Sequence, residues 1–219
     1  MSGSEAAIVF SAAALSIAGV AFAMLAASMA RRVTNIVGMA GGIVILAVAV
    51  FHLAPEAFAS GGAERIFLFV GAGVGILLEV IFRTRSDPAP QTVRAGAWLG
   101  VAVLALHSTL DGAVYNAVIG HEDGYGMLAS LGLITHEAPE GVVAMMLALQ
   151  AGLKPWKAAG VAVVASSLTT PLGWALGHTI GAENGAMQAM FAASAGLLLY
   201  VGWHLVASGW RALRARSDA

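Results

Sequence analysis

Long runs of apolar residues, separated by short polar segments, dominate the pattern along this chain. Seven of the runs reach roughly 17–25 residues, the length that an α-helix needs to cross the hydrocarbon core of a bilayer. The predicted spans cover residues 6–29, 36–58, 66–82, 98–120, 126–150, 156–180 and 187–210. The pattern therefore predicts an all-α fold: a polytopic membrane helix bundle of seven transmembrane helices that forms one domain, 1–219.

The composition supports lipid as the surrounding solvent. Of the 219 residues, 59% are hydrophobic and only 11% are charged, whereas about 25% of the residues of a soluble domain are charged. The formal net charge of -1 provides no field that would attract nucleic acid, so no nucleic-acid partner is expected. Cysteine is absent, which excludes disulfides and thiolate metal sites.

The basic residues orient the predicted bundle. Ten of the eleven fall on one side, in the segments after spans 1, 3 and 5 and after the last span: Arg31, Arg32, Arg83, Arg85, Arg94, Lys154, Lys157, Arg211, Arg214 and Arg216. By the positive-inside rule, the N-terminus is predicted outside and the C-terminus in the cytoplasm, in a multi-pass protein of the cell (inner) membrane. The longest connection, residues 83–91, contains Pro88 and Pro90 and is predicted to be a loop.

Ionisable residues at mid-span carry the candidate chemistry, because such groups are costly inside a bilayer. Span 4 contains His107 and Asp111, and span 5 contains His136, Glu137 and Glu140. Residues at i and i+4 share a helix face, with Cβ atoms roughly 5–6 Å apart. Two such His/carboxylate pairs on adjacent antiparallel helices are expected to face one point. This ligand set suits Zn²⁺ and does not exclude Fe²⁺, Mn²⁺ or Co²⁺.

Prolines interrupt three of the spans and give a second indication of a pathway. Pro55, Pro139 and Pro171 lie within spans 2, 5 and 6, and each frees a backbone carbonyl and favours a kink. Irregular backbone at membrane depth is tolerated where it is buried or lines a cavity. Span 2 also carries His52 and Glu56 around its proline. Three interrupted spans fit an ion pathway better than an inert anchor.

Two other functions remain open on the residues alone. One is an intramembrane zinc hydrolase, since His136-Glu137 matches the start of the motif His-Glu-x-x-His; however, Glu140 stands in its last position and Pro139 lies inside it. The other is a metal-binding membrane protein that does not transport. The residues favour metal binding, and a metal transporter is the third function that they allow.

The motifs resemble those of the ZIP (Zrt/Irt-like) family of divalent-metal transporters, in its bacterial type. Residues 107–112 read His-Ser-Thr-Leu-Asp-Gly and residues 136–141 read His-Glu-Ala-Pro-Glu-Gly, similar to the family's fourth and fifth helices. Residues 52–56 read His-Leu-Ala-Pro-Glu, residues 171–173 read Pro-Leu-Gly, and residues 195–201 match a small-residue stretch that ends in Leu-Tyr-Val.

The resemblance implies a transport site for a divalent metal ion, with zinc the first candidate substrate. It implies metal ligands at His107, Asp111, His136 and Glu140, and a second metal position that uses Ser108 and Glu137. His52 and Glu56 would lie near the outer part of the pathway. The implied direction is influx to the cytoplasm, the implied partners are the metal ion and the lipid bilayer, and a homodimer is left open.

The chain departs from the family pattern in three places, one of which is the absence of histidine from the predicted cytoplasmic loop between spans 3 and 4. Many members have eight spans with both ends outside, whereas this chain is expected to lack the eighth helix. Some members carry a Glu just before the proline of span 6, where this chain has Thr170. A weaker second metal position is expected from that difference.

Overall fold

The computed structural model describes residues 3–29, 31–59, 62, 65–85, 90–119, 125–180 and 185–214. Within these ranges the chain is helical and contains no strand. Seven rods, α1 to α7, follow one another along the chain, and two of them contain a π-helical turn. Their bounds are Gly3–Ala27 (α1); Arg31–Val48, the π-turn Ala49–Leu53 and Ala54–Ala59 (α2); Ile66–Arg85 (α3); Pro90–Ile119 (α4); Tyr125–Gln150 (α5); Pro155–Val163, the π-turn Val164–Leu168 and Thr169–Ile180 (α6); and Gly185–Arg214 (α7).

Each predicted span coincides with one of these rods, but the bounds differ at the ends. The largest difference is in residues 83–91, where the prediction of a loop throughout was wrong. Helix α3 continues to Arg85, and α4 begins at Pro90. Proline is well suited to the first position of a helix, because its missing N–H has no intrahelical partner there and its φ is already helical. Pro90 therefore starts the helix whose predicted span began at residue 98.

The prolines of α2 and α6 each follow a π-helical turn. In α2 the turn Ala49–Leu53 precedes Pro55, and the N–H of Ala54 bonds to the carbonyl of Ala49. In α6 the turn Val164–Leu168 precedes Pro171. A wider turn takes up the local mismatch that a proline introduces, since proline cannot donate to the carbonyl one turn earlier. Pro139, in contrast, lies inside the uninterrupted helix α5.

Glycines bring the helices around the centre into direct backbone contact. A Cβ added at Gly141 of α5 would overlap the carbonyl oxygen of Ser16 of α1, and one added at Gly19 of α1 would overlap that of Ala138. Helices α4 and α6 show the same reciprocal arrangement, in which Gly112 lies against the Thr170 carbonyl and Gly173 against that of Thr109. Small residues permit such close approach in membrane helices. The α1–α5 and α4–α6 pairs are thereby held at short range.

Many large apolar side chains cover the outside of the bundle. Phe51, Leu25 and Trp203 are 80%, 71% and 65% exposed, whereas Asp111, Glu137 and Glu140 are buried inside. By length and composition, four segments of the described residues are able to cross a membrane: Glu5–Ala27, Arg94–Tyr115, Pro155–His178 and Gln188–Arg211. Asn35–Phe51 and Ile66–Leu77 are shorter apolar helical segments. The chain is a polytopic helical membrane bundle, and the full set of seven spans stays a prediction.

Candidate metal centre

Buried polar side chains of the described residues gather where α4, α5 and α6 meet, with contributions from α1 and α7. His107, Ser108 and Asp111 come from α4, and His136, Glu137 and Glu140 come from α5; each is at most 1% exposed. The surrounding hydroxyl groups come from the other three helices: Ser16, Ser166, Ser167, Thr170 and Ser194. The predicted motif residues of spans 4 and 5 therefore lie together in the interior.

The carboxylate of Asp111 joins the two histidines. Its Oδ2 lies 3.2 Å from Nε2 of His107 and 2.7 Å from Nε2 of His136. Ligand atoms bound to one tetrahedral Zn²⁺ at about 2.0–2.2 Å would lie roughly 3.4 Å apart. The three side chains thus already have nearly the separation that a shared metal ion requires.

A second group of ligands overlaps the first. His136, Glu137 and Glu140 each offer a ligand atom within 4.8 Å of the others, as do His107, Asp111 and His136. The sequence predicted that His107, Asp111, His136 and Glu140 face one point. In the structure, Glu140 groups with His136 and Glu137, and His136 also groups with His107 and Asp111. Each group could hold a metal ion, and the four-ligand site stays a prediction.

The carboxylates of the second group lack the hydrogen bonds that burial usually demands. Oε1 of Glu137 accepts a hydrogen bond of 3.4 Å from the hydroxyl of Tyr115, but its Oε2 has no partner among the described residues. Neither carboxylate oxygen of Glu140 has a hydrogen-bond partner within the described part of the chain. A buried, unpaired carboxylate is unfavourable, and a bound cation would relieve that cost.

Ser194 of α7 holds the other side of the His107 ring. Its Oγ forms a hydrogen bond with Nδ1 of His107, which leaves Nε2 directed at Asp111. Histidine ligands commonly use their second nitrogen in this way, and the contact sets both the tautomer and the ring orientation. Nothing in the sequence singled out Ser194, because a serine in a stretch of alanines and glycine has no distinctive spacing. Only the packing of α7 against α4 reveals it.

Ser108, which the resemblance assigned to the second metal position, contacts α6. Its hydroxyl donates to the carbonyl of Ser166 at 3.0 Å and lies 2.8 Å from Oγ1 of Thr170. Ser166 in turn accepts a hydrogen bond of 2.9 Å from Ser16 of α1. These hydroxyl groups link α1, α4 and α6. The role of Ser108 as a metal ligand stays a prediction.

His52 and Glu56, the predicted outer-pathway residues, lie in α2 on either side of Pro55. Their side chains fall outside the described part of the structure, so their role also stays a prediction. Two further histidines lie away from the centre. His178 of α6 packs its ring edge-on against Trp174, with the centroids 5.0 Å apart, and His204 of α7 lies 3.8 Å from Glu79 of α3.

Comparison with known proteins agrees with this geometry. The family model described as "ZIP Zinc transporter" matches residues 83–208, more than half of the chain and both ligand-bearing helices. The "Zinc transporter foi" of Drosophila melanogaster is 28% identical over 112 residues, which are 51% of this chain and 16% of the fly protein. The chain therefore spans well under half the length of this relative. On the family match, this chain belongs to the ZIP zinc transporter family.

Proposed function

We propose that this protein transports a divalent metal cation, with Zn²⁺ as the preferred substrate, into the cytoplasm. The observation that carries the proposal is the pair of overlapping His/carboxylate groups buried between α4 and α5. Mixed imidazole and carboxylate ligands suit Zn²⁺, and they also accept Fe²⁺, Mn²⁺ and Co²⁺. We assign the metal-binding role to His107, Asp111, His136, Glu137 and Glu140, with Ser108 beside them.

The overlap of the two ligand groups supports transport over permanent binding of the metal ion. A structural metal site is closed by four strong ligands and has no need of further groups. Here two groups of three ligands share His136, so an ion is able to pass between neighbouring positions by exchanging ligands one at a time. Stepwise exchange lowers the energy barrier to release of the ion. A transporter must release the ion as well as bind it.

The path to the site is proposed from the kinked helices. Broken helices that line a cavity are typical of transporters, whose substrate sites lie near the bilayer midplane. The π-turn of α6 contacts Ser108 through Ser166, and the helical turn after it does so through Thr170, while α2 carries His52 and Glu56. We place His52 and Glu56 on the outer part of the path, in a cell (inner) membrane with the N-terminus outside.

An intramembrane hydrolase is not supported, because the chain belongs to a family of transporters rather than of enzymes.

An experiment distinguishes transport from metal binding without transport. Zinc uptake is measured in proteoliposomes that contain the wild-type chain or Glu140→Gln, and zinc binding is measured on the same preparations. We expect Glu140→Gln to lower uptake and affinity by more than about tenfold, since it removes a charged ligand.

Glu79→Gln is the matched control, because Glu79 is a helix carboxylate outside the site, beside His204. It should transport like the wild type. Binding of zinc by the wild-type chain without uptake would overturn the transport proposal and assign the chain to the non-transporting class. Equal uptake by the wild type and Glu140→Gln would overturn the proposed site.

A further inference from the structure

A groove of about 730 Å³ lies between α4 and α6 and opens on the outside of the bundle. Its walls are almost entirely apolar and include Val101, Ala102, Val161 and Val164. The volume falls within the range of about 300–1,000 Å³ that is common for sites of small ligands. A smooth helix face presented to lipid has no such depression, so this concavity offers more than general contact with the bilayer.

One end of the groove combines aromatic rings with a cation. Trp156, which is 65% exposed, lies in the first turn of α6, and Trp98, which is 44% exposed, lies about two turns after the start of α4. The ammonium group of Lys157 lies 5.3 Å from the centre of the Trp156 ring, a cation–π distance. Tryptophan is enriched where a membrane helix meets the headgroup region. This end of the groove therefore belongs at the membrane surface.

Further positive charge surrounds the same end. Lys154 lies in the turn before α6, and Arg94 lies in α4, where its Nε would be 3.0 Å from a Cβ added at Gly152 of that turn. Both basic residues are exposed, and among the residues that the structure describes no acidic side chain lines the groove. An apolar trench with a cationic mouth fits a molecule that has a hydrocarbon chain and an anionic head.

We propose that this groove binds an anionic phospholipid, with one acyl chain along α4 and α6 and the headgroup at Lys157 and Trp156. Phospholipid is the amphipathic anion that surrounds a membrane bundle, and clustered lysines near the bilayer surface attract anionic headgroups. The proposal is independent of metal transport.

The floor of the groove is next to the metal centre. The groove is lined by Ala105, two residues before His107, and by Thr169, the neighbour of the Thr170 that contacts Ser108. Val164 and Ala165 of the π-turn also line it. An acyl chain in the groove would therefore help to keep α4 and α6 at their present distance. It would do so on the side of these helices that faces away from the proposed metal ligands.

The chain offers a matched pair of substitutions for the test. A Cβ added at Gly160, which lines the groove, meets nothing within 4 Å, and the same holds at Gly73 of α3, which does not line it. Gly160→Leu should fill the groove without disturbing the helix packing, whereas Gly73→Leu adds the same group elsewhere. Lys157→Gln removes the charge at the mouth and leaves the groove intact.

Binding is measured by native mass spectrometry of the purified full chain, titrated with phosphatidylglycerol or with phosphatidylcholine of the same acyl chains. We expect phosphatidylglycerol to bind more tightly, Lys157→Gln to weaken that binding about fivefold, and Gly160→Leu to weaken it by at least as much. Gly73→Leu should bind like the wild type.

Three results would overturn the proposal. Equal affinity for the two lipids, unchanged in Lys157→Gln, would mean that the mouth does not select an anionic headgroup. Unchanged phosphatidylglycerol binding by Gly160→Leu would place the lipid elsewhere. A changed oligomeric state of Gly160→Leu, with lipid binding intact, would assign the groove to a second copy of the chain.

Discussion

At the scale of single residues, His136 is the point that the two ligand groups share. It lies 2.7 Å from the carboxylate of Asp111 on one side and within 4.8 Å of ligand atoms of Glu137 and Glu140 on the other. His107 belongs only to the first group, and Glu137 only to the second. Under the proposed assignment of the ligands, loss of His136 removes a ligand from both positions, whereas loss of His107 or Glu137 removes a ligand from one.

This difference predicts an order of effects. We expect His136→Ala to lower zinc affinity by roughly tenfold more than His107→Ala or Glu137→Ala, measured by calorimetric titration of purified protein. His178→Ala serves as the control, because this exposed histidine packs on Trp174 away from the site. Equal losses for the three site variants would show that the ligands form a single group instead of two.

At the scale of the helices, the glycines beside the two carboxylates determine how closely the elements pack. Gly112 follows Asp111, and Gly141 follows Glu140; each of the two glycines lies against a backbone carbonyl of a neighbouring helix. Each motif thus contains the ligand and the residue that lets the next helix approach. The ligand positions are consequently tied to the separations of α4 from α6 and of α5 from α1.

Gly141→Ala tests this packing. The added Cβ would overlap the Ser16 carbonyl, so α1 and α5 must separate, and overpacking of this kind typically costs about 1–3 kcal/mol. We expect a lower midpoint of thermal unfolding in detergent. Gly73→Ala is the control: its Cβ meets open space, and its higher helix propensity should leave stability unchanged or raised by up to about 1 kcal/mol. Identical midpoints for the two variants would contradict the packing argument.

At the scale of the whole molecule, the bundle repeats one arrangement. Helix α1 packs on α5 through Gly19 and Gly141 as α6 packs on α4 through Gly173 and Gly112. Between α2 and α7, Gly42 and Gly202 also face each other, and a Cβ added at either would lie 3.0 Å from the other's carbonyl oxygen. Helices α4 and α5, which carry the proposed ligands, occupy corresponding places in this scheme.

The orientation of the bundle gives a prediction at the same scale. Because the chain has no cysteine, single cysteines introduced at Arg65 and Lys154 are the only reactive thiols. In intact cells, a membrane-impermeant thiol reagent should label Arg65→Cys, which precedes α3 on the predicted outer side, and should not label Lys154→Cys until the membrane is permeabilised. Both residues are exposed. The reverse pattern would invert the predicted topology.

The sequence predicted the helical class and the places of the seven helices, and it singled out the His and carboxylate side chains that the structure buries together. Apolar run length and i,i+4 spacing are local properties, and the cost of an ionisable group in a bilayer marks it as functional wherever it lies. Sequence alone was less reliable at helix ends, where α4 begins at Pro90 rather than at residue 98.

Only the tertiary structure decided which of the buried His and carboxylate side chains lie together and what surrounds them. The overlap of the two groups at His136, the hydrogen bond between Ser194 and His107 and the contact of Ser108 with Thr170 all join residues distant in sequence. These contacts depend on the distance and rotation between helices, which the glycine contacts determine through backbone packing. Local patterns along one helix specify which residues face inward, but not which residue of another helix they meet.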